Sequence, residues 1–159
     1  MTIIKDCQVE NIIILYDGDA RNISMKDLEK KRDLRKRPDG FINSTRSVRE
    51  LLKDCKTDIY FAAIKSDEIA GSPKGLDDLY LALPSETENI SKDLTSFSRP
   101  GTYFHCQNIR IDIGKLYKWF MLDSVENFHA HHQKAIQNRE FVFNGTTYRY
   151  NPEKGNCEA

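Results

Sequence analysis

Residues 8–16, Gln-Val-Glu-Asn-Ile-Ile-Ile-Leu-Tyr, end in a continuous β-branched and aromatic run that stops abruptly at Asp17-Gly18-Asp19. With no polar alternation, such a run suits a strand covered on both faces, as strands of parallel sheets are. A second run of this kind, Asp58-Ile-Tyr-Phe-Ala-Ala-Ile64, follows a stretch with helical spacing. In that stretch Val48, Leu51, Leu52 and Cys55 fall on one stripe, Asn43 or Ser44 can cap it, and Ser47 and Glu50 have capping-box spacing. Strand, helix and strand make a βαβ unit, whose crossover is right-handed and whose strands are parallel. The expected fold class is α/β.

The rest of the chain divides by texture. Met25 to Asp39 is highly charged, helical at first and broken at the turn signal Pro38-Asp39-Gly40. Lys65 to Gly75 reads as a loop, and Leu76 to Leu83 as a short amphipathic helix stopped before Pro84. Residues 84–101, rich in Ser, Thr, Glu, Pro and Gly, read as a linker. Tyr103 to Ile111 is extended, and Lys115 to Leu122 and Val125 to Ile136 are helical, the second capped by Ser124. Phe141 to Tyr150 is a hairpin, because Asn144-Gly145 is the preferred type I′ pair between strand formers. The expected organisation is an α/β part at 1–83, a linker at 84–101 and a small α+β appendage at 102–159.

Composition removes several classes. The 159 residues include 16 aromatics, too many for a disordered chain and enough for a core without disulfides. Four cysteines are scattered with no CxxC pair, which argues against a zinc knuckle and for reduced thiols. The longest apolar run, Ile12 to Tyr16, falls far short of the roughly 18 residues of a membrane span, so no membrane partner is expected. Met1 to Cys7 shows no basic segment leading into an apolar one, and a cytoplasmic location is expected. Equal numbers of basic and acidic residues, 24 each, exclude a uniformly cationic nucleic-acid binder. They do not exclude a segregated one. Residues 21–37 carry eight bases against three acids, a local +5, and Glu50 to Asp93 carries five bases against ten acids, a local −5.

Chemistry points first to Asp17-x-Asp19. In open α/β sheets functional groups collect at the carboxyl ends of strands. Two carboxylates there can hold Mg²⁺ together with substrate phosphates and waters. The same residues can equally cap the next turn, with Gly18 easing the bend. Beyond the second strand lies Ser72-Pro73-Lys74-Gly75-Leu76-Asp77-Asp78-Leu79. Asp77 or Asp78 could complete an acidic metal site with Lys74 facing phosphate. Alternatively the acids complement a helix dipole and Lys74 is solvated.

An apolar strand ending in Asp17-Gly18-Asp19, then helix, strand and Lys74-Gly75-Leu76-Asp77-Asp78-Leu79, resembles the later half of a Toprim domain. It is most similar to the Toprim-like domains of primase and replication proteins of plasmids and mobile elements. The resemblance covers about residues 10–85. It implies Mg²⁺- or Mn²⁺-dependent phosphodiester chemistry on DNA or RNA, with Asp17, Asp19, Asp77 and Asp78 as the candidate metal ligands. It also implies a glutamate in a Glu-Gly motif on an earlier strand, serving as general acid/base. That motif is missing here. Glu10 starts the strand that ends in Asp17, about 20 Å away at about 3.3 Å per residue, and is no substitute. The expectation is a partial Toprim-like domain, inactive alone if the glutamate is needed, with a second copy or partner chain supplying missing strands. A non-catalytic interaction module on a degenerate scaffold is the alternative.

The basic segment would help hold a phosphate backbone, through Arg21, Lys30, Lys31, Arg35 and Arg37, joined by Lys74. Against that stands a solvated helix laced by Asp27–Lys31 and Asp33–Arg37 pairs. His129, His131 and His132 read as a solvated helix face rather than a metal site, lacking a carboxylate at HExxH spacing. The aromatics of residues 103–150 read mainly as core rather than as base-stacking groups. A phosphatase of the haloacid-dehalogenase type also uses Asp-x-Asp, but no matching Ser/Thr and Lys stations can be assigned.

Overall fold

The computed structural model describes residues 4, 7–97, 101–110, 113–122 and 124–159. They group into two compact units, one within 1–20 and 45–112, the other within 21–44 and 113–159.

The first unit is built on strands β1 (Asn11–Tyr16), β2 (Asp58–Ile64) and β3 (Phe104–Arg110), in the sheet order β1-β2-β3. β1 and β2 are parallel, from Asn11 opposite Asp58 to Tyr16 opposite Ala63. β3 is antiparallel to β2, so the sheet is mixed rather than parallel throughout. Between the Phe61–Ile109 and Ala63–His105 pairs, one residue of β2 faces three of β3. Cys106, with φ of 56°, sits in this bulge. The bulge turns Gln107 inward, where its buried amide donates to the carbonyls of Asp93 and Ser96. Ile111, the expected last residue of this strand, lies outside the described residues.

Alternation along the strands divides the side chains between two faces. Ile13, Leu15, Ala62, Ile64 and Phe104 pack with Leu79 and Ile90. Tyr16, on the other face, lies parallel to Phe61 at 6.2 Å and bonds through its hydroxyl to Thr45 at 2.6 Å. Leu79 comes from α3 (Leu76–Ala82) and Ile90 from α4 (Thr87–Leu94), joined by a 3₁₀ turn at Pro84–Glu86. Residues 84–94 are therefore not a linker. Their polar composition hides Ile90, which is fully buried, and Leu94, half-buried beside it, and burial of that face overrides a weak intrinsic propensity. β3 belongs to this unit too, although the sequence division groups it with the C-terminal appendage.

Between β1 and β2 run α1 (Met25–Glu29) and α2 (Lys36–Leu52). Pro38-Asp39-Gly40 lies within α2 and does not break it. Pro38 is in the first helical turn, where a missing N–H removes no intrahelical bond. The stripe on α2 also differs from the expected one. Ile42, Thr45 and Leu52 are buried, whereas Leu51 is 64% exposed. Ser44 does not cap; its hydroxyl donates to the Gly40 carbonyl one turn back.

The second unit contains α1, the start of α2, α5 (Ile113–Phe120), α6 (Val125–Ile136) and an antiparallel sheet of β4 (Glu140–Phe143), β5 (Thr146–Asn151) and β6 (Asn156–Glu158). Ser124 caps α6, accepting the Asn127 N–H at 3.3 Å. The β4–β5 turn is Asn144-Gly145, both with positive φ, 52° and 77°, as a type I′ turn requires. The sequence gives no hint of β6, a three-residue strand with only Cys157 buried. The core joins Ile23, Leu28 and Leu34 to Val125, Phe128, Ile136, Phe141, Phe143 and Cys157. No helix among the described residues is long and apolar enough to cross a membrane.

Candidate functional site

The end of β1 and the loop after β2 are tied together by backbone. The Gly18 N–H donates to the Lys74 carbonyl at 2.9 Å, and the Ala20 N–H closes a turn onto the Asp17 carbonyl at 2.9 Å. Only glycine fits at position 18. A Cβ there would lie 1.6 Å from Ser66 Oγ and 3.0 Å from the Ile64 carbonyl oxygen. Ser66 is itself buried and its hydroxyl donates to the Pro73 carbonyl, which pins the loop. The two acidic motifs are thus placed side by side at the carboxyl ends of the parallel strands.

The side chains divide their roles there. Lys74 Nζ stands 3.5 Å from Asp19 Oδ2, and Asp17 is exposed. Asp78 Oδ2 accepts the N–H groups of Lys74 at 3.3 Å and Gly75 at 3.2 Å. That is a helix-capping task, which complements the positive end of α3. Asp77 is exposed in the same first turn. Among the described residues, no three His, Cys, Asp or Glu side chains are grouped so as to hold one metal ion. The four carboxylates Asp17, Asp19, Asp77 and Asp78 are thus not gathered at one point, and Asp78 is taken up as a cap. Asp17 and Asp19 could hold a cation only with phosphate and water oxygens completing its shell.

The basic residues separate into two groups, all in the second unit apart from Lys74. Arg21 donates through Nε to the Trp119 carbonyl at 3.1 Å and lies over the Trp119 ring at 5.3 Å. Lys31 pairs with Glu140 at 2.6 Å, which holds that carboxyl below its usual range. Arg35 donates to Tyr117 Oη at 2.7 Å and to Asn144 Oδ1 at 2.8 Å. Arg21 and Arg35 are thus tied into the unit, whereas Lys31, 65% exposed, keeps only a surface pair. Lys30 is exposed at the end of α1. The expected Asp27–Lys31 and Asp33–Arg37 pairs do not form, because residues 30–35 are not helical. Asp27 pairs instead with Arg32 at 3.4 Å, and the Asp33 carboxylate accepts backbone N–H groups.

Arg37 lines a cleft of about 530 Å³ together with Arg32 and Lys36. Arg32 and Lys36 escape sequence reasoning, since the irregular segment ahead of α2 gives no periodicity that would bring them to one place. The histidines also differ from expectation. His129 is buried, stacked on Tyr150 at 4.2 Å, and burial pushes its pKa down. His132 lies against Phe128 at 4.7 Å, and His131 is exposed. Phe104, Phe120, Phe128, Phe141 and Phe143 are core residues, as the aromatic pattern suggests.

Set against known proteins, the chain matches no family model, no curated protein and no solved structure.

Proposed function

We propose that the protein is a Toprim-like domain of a mobile-element replication or primase-type protein, binding a divalent metal and DNA or RNA. The observation that supports this reading is the Gly18–Lys74 backbone bond, which sets Asp17-Gly18-Asp19 beside Lys74-Gly75-Leu76-Asp77-Asp78 at one sheet edge. Mg²⁺ or Mn²⁺, when bound, would neutralise charge on a phosphate oxygen. Asp17 and Asp19 would hold it. Lys74, exposed beside them, would attract the phosphate itself, and Asp78 would keep α3 in register through its two backbone bonds.

The chain supplies no counterpart of the Glu-Gly glutamate, so on its own it would bind rather than cut or join strands. β1 has the apolar sequence of a covered strand yet lies at the edge of its sheet among the described residues. A second copy or a partner chain could supply the missing strand there. A non-catalytic interaction module on the same scaffold is favoured by one observation: Lys74 already balances the Asp19 charge.

Titration of Mg²⁺ and Mn²⁺, with and without a short oligonucleotide, separates the two readings. The wild-type chain should bind the ion, and an Asp17→Ala/Asp19→Ala double variant should not. Equal, negligible binding by both would leave only the interaction module.

A further inference from the structure

The run of bases at 21–37 looks uniform in sequence, but the fold gives its members different tasks. Arg21 and Arg35 are tied to Trp119 and Tyr117, Lys31 keeps an exposed pair with Glu140, and Arg32, Lys36 and Arg37 share the walls of one cleft. We propose that this cleft is a nucleotide-binding site, in which Arg32, Lys36 and Arg37 hold the phosphate and Phe41 supplies an apolar wall for the base.

Charge comes first. Three cations, Arg32, Lys36 and Arg37, and one carboxylate, Asp27, line the cleft. The Asp27–Arg32 pair is long, at 3.4 Å, and the Arg32 side chain is half exposed, so the guanidinium can exchange it for a bidentate phosphate. Lys36 and Arg37 stand in the first turn of α2, a helix of 17 residues, whose positive end adds to their field. Ser24 lines the same cleft. Its Oγ accepts the Asp27 N–H at 3.3 Å, so its own proton can point to an outside acceptor. Cations, a helix terminus and a hydroxyl donor are the usual partners of a phosphate group.

The aromatic wall narrows the ligand class. Phe41 lines the cleft with its ring held parallel to Phe120, at 5.5 Å and 1°. A basic site beside a fixed aromatic ring matches the repeating unit of single-stranded nucleic acid, phosphate next to base. A free mononucleotide offers the same chemistry. This inference rests on the nucleic-acid part of the proposed function and is independent of its metal part.

Fluorescence anisotropy of the full chain with a labelled single-stranded 12-mer, DNA and RNA in turn, in EDTA, tests it. A mononucleotide serves as the second arm. The variants are Lys36→Glu, Arg32→Gln/Arg37→Gln and Asp17→Ala/Asp19→Ala. Glu suits a helix N-terminus, so Lys36→Glu should keep its fold and its circular dichroism. Wild type should bind the 12-mer, Lys36→Glu should bind at least tenfold more weakly with a shallower salt dependence, and Asp17→Ala/Asp19→Ala should bind as wild type does. Mononucleotide binding that responds to the cleft variants, without 12-mer binding, would keep the site and make its ligand the free nucleotide, at the expense of the nucleic-acid reading. Wild-type 12-mer binding untouched by both cleft variants would overturn the site while leaving that reading intact. Binding of neither ligand by wild type would overturn both.

Discussion

The Asp33 carboxylate accepts the N–H of Gly145 at 2.7 Å, and with it those of Asn144 at 3.1 Å and Arg35 at 3.0 Å. One carboxylate therefore joins the segment between β1 and β2 to a hairpin turn near the end of the chain. The neighbouring Leu34 N–H donates to the Val142 carbonyl at 2.8 Å, and Arg35 reaches Asn144 Oδ1 at 2.8 Å. Asp33→Ala removes an ionised acceptor from three donors at once. Charge-assisted bonds contribute more than neutral ones, but these are partly solvated, so the expected loss is about 2 kcal/mol. Urea unfolding should show it, with Asp33→Asn in between. Unchanged stability in Asp33→Ala would mean that water replaces the carboxylate without loss.

Two glycines should respond to alanine with opposite signs. At Gly18 a Cβ would overlap Ser66 Oγ at 1.6 Å and crowd the Ile64 carbonyl, which is backbone and cannot step aside. Gly18→Ala should cost about 2 kcal/mol or more, in the range of overpacking. Gly40 lies inside α2, and a Cβ there meets nothing within 4 Å. Gly40→Ala should stabilise by about 0.5–1 kcal/mol through helix propensity. Thermal unfolding of both variants checks the pair, and a stabilised Gly18→Ala would contradict the close approach of the two loops.

What the sequence makes legible here is whatever is local. The apolar runs at Ile12–Tyr16 and Ile59–Ile64, the Ser124 cap and the Asn144-Gly145 turn each carry their own signal, and each forms as expected. Long-range effects decide the rest. Pro38-Asp39-Gly40 has turn chemistry, yet Asp33 accepts the Arg35 N–H just ahead of α2 and places Pro38 in the first turn, where it does no harm. β3 gives away neither its antiparallel direction nor its bulge, because Cys106 and Gln107 are ordinary strand residues until Asp93 and Ser96 offer carbonyls to the Gln107 amide. At the site, the adjacency of Asp19 and Lys74 follows from strand order and could be foreseen. The service of Asp78 at the start of α3 is one of the two readings its position offers, whereas the gathering of Arg32, Lys36 and Arg37 depends on loop geometry that no spacing encodes.

His129 gives stability a pH dependence. It is buried against Tyr150, and desolvation lowers its pKa from the ordinary value of 6.5. The unfolded chain then binds a proton that the folded one refuses. Stability is full above about 6.5 and falls as pH drops toward the folded pKa. Glu86, Glu140 and Glu158 are also held below their ordinary value of 4.5, so their contribution is lost only at lower pH. Between pH 6.5 and 5 His129 should therefore contribute a fall in stability as pH drops. Urea midpoints across this window should fall for wild type and stay flatter for His129→Phe. Identical slopes would place the titrating group elsewhere.

Lys74 should oppose the binding of a divalent cation at the DxD turn. Its ammonium lies 3.5 Å from Asp19 Oδ2, with the lysine side chain 66% exposed and that of Asp19 28% exposed. At that distance in largely aqueous surroundings a unit charge contributes about 1 kcal/mol, which solvent screening reduces further. If Asp17 and Asp19 take up Mn²⁺, Lys74→Gln should tighten it by about threefold, since a like charge of about 1 kcal/mol or less has been removed. The same change should weaken a bound oligonucleotide, because the phosphate loses a cation. Manganese binding followed by electron paramagnetic resonance, beside anisotropy on the oligonucleotide, reads both effects. Opposite signs in the two measurements would put Lys74 between metal and phosphate. A Lys74→Gln variant that changes neither would reduce it to a solvated partner of Asp19.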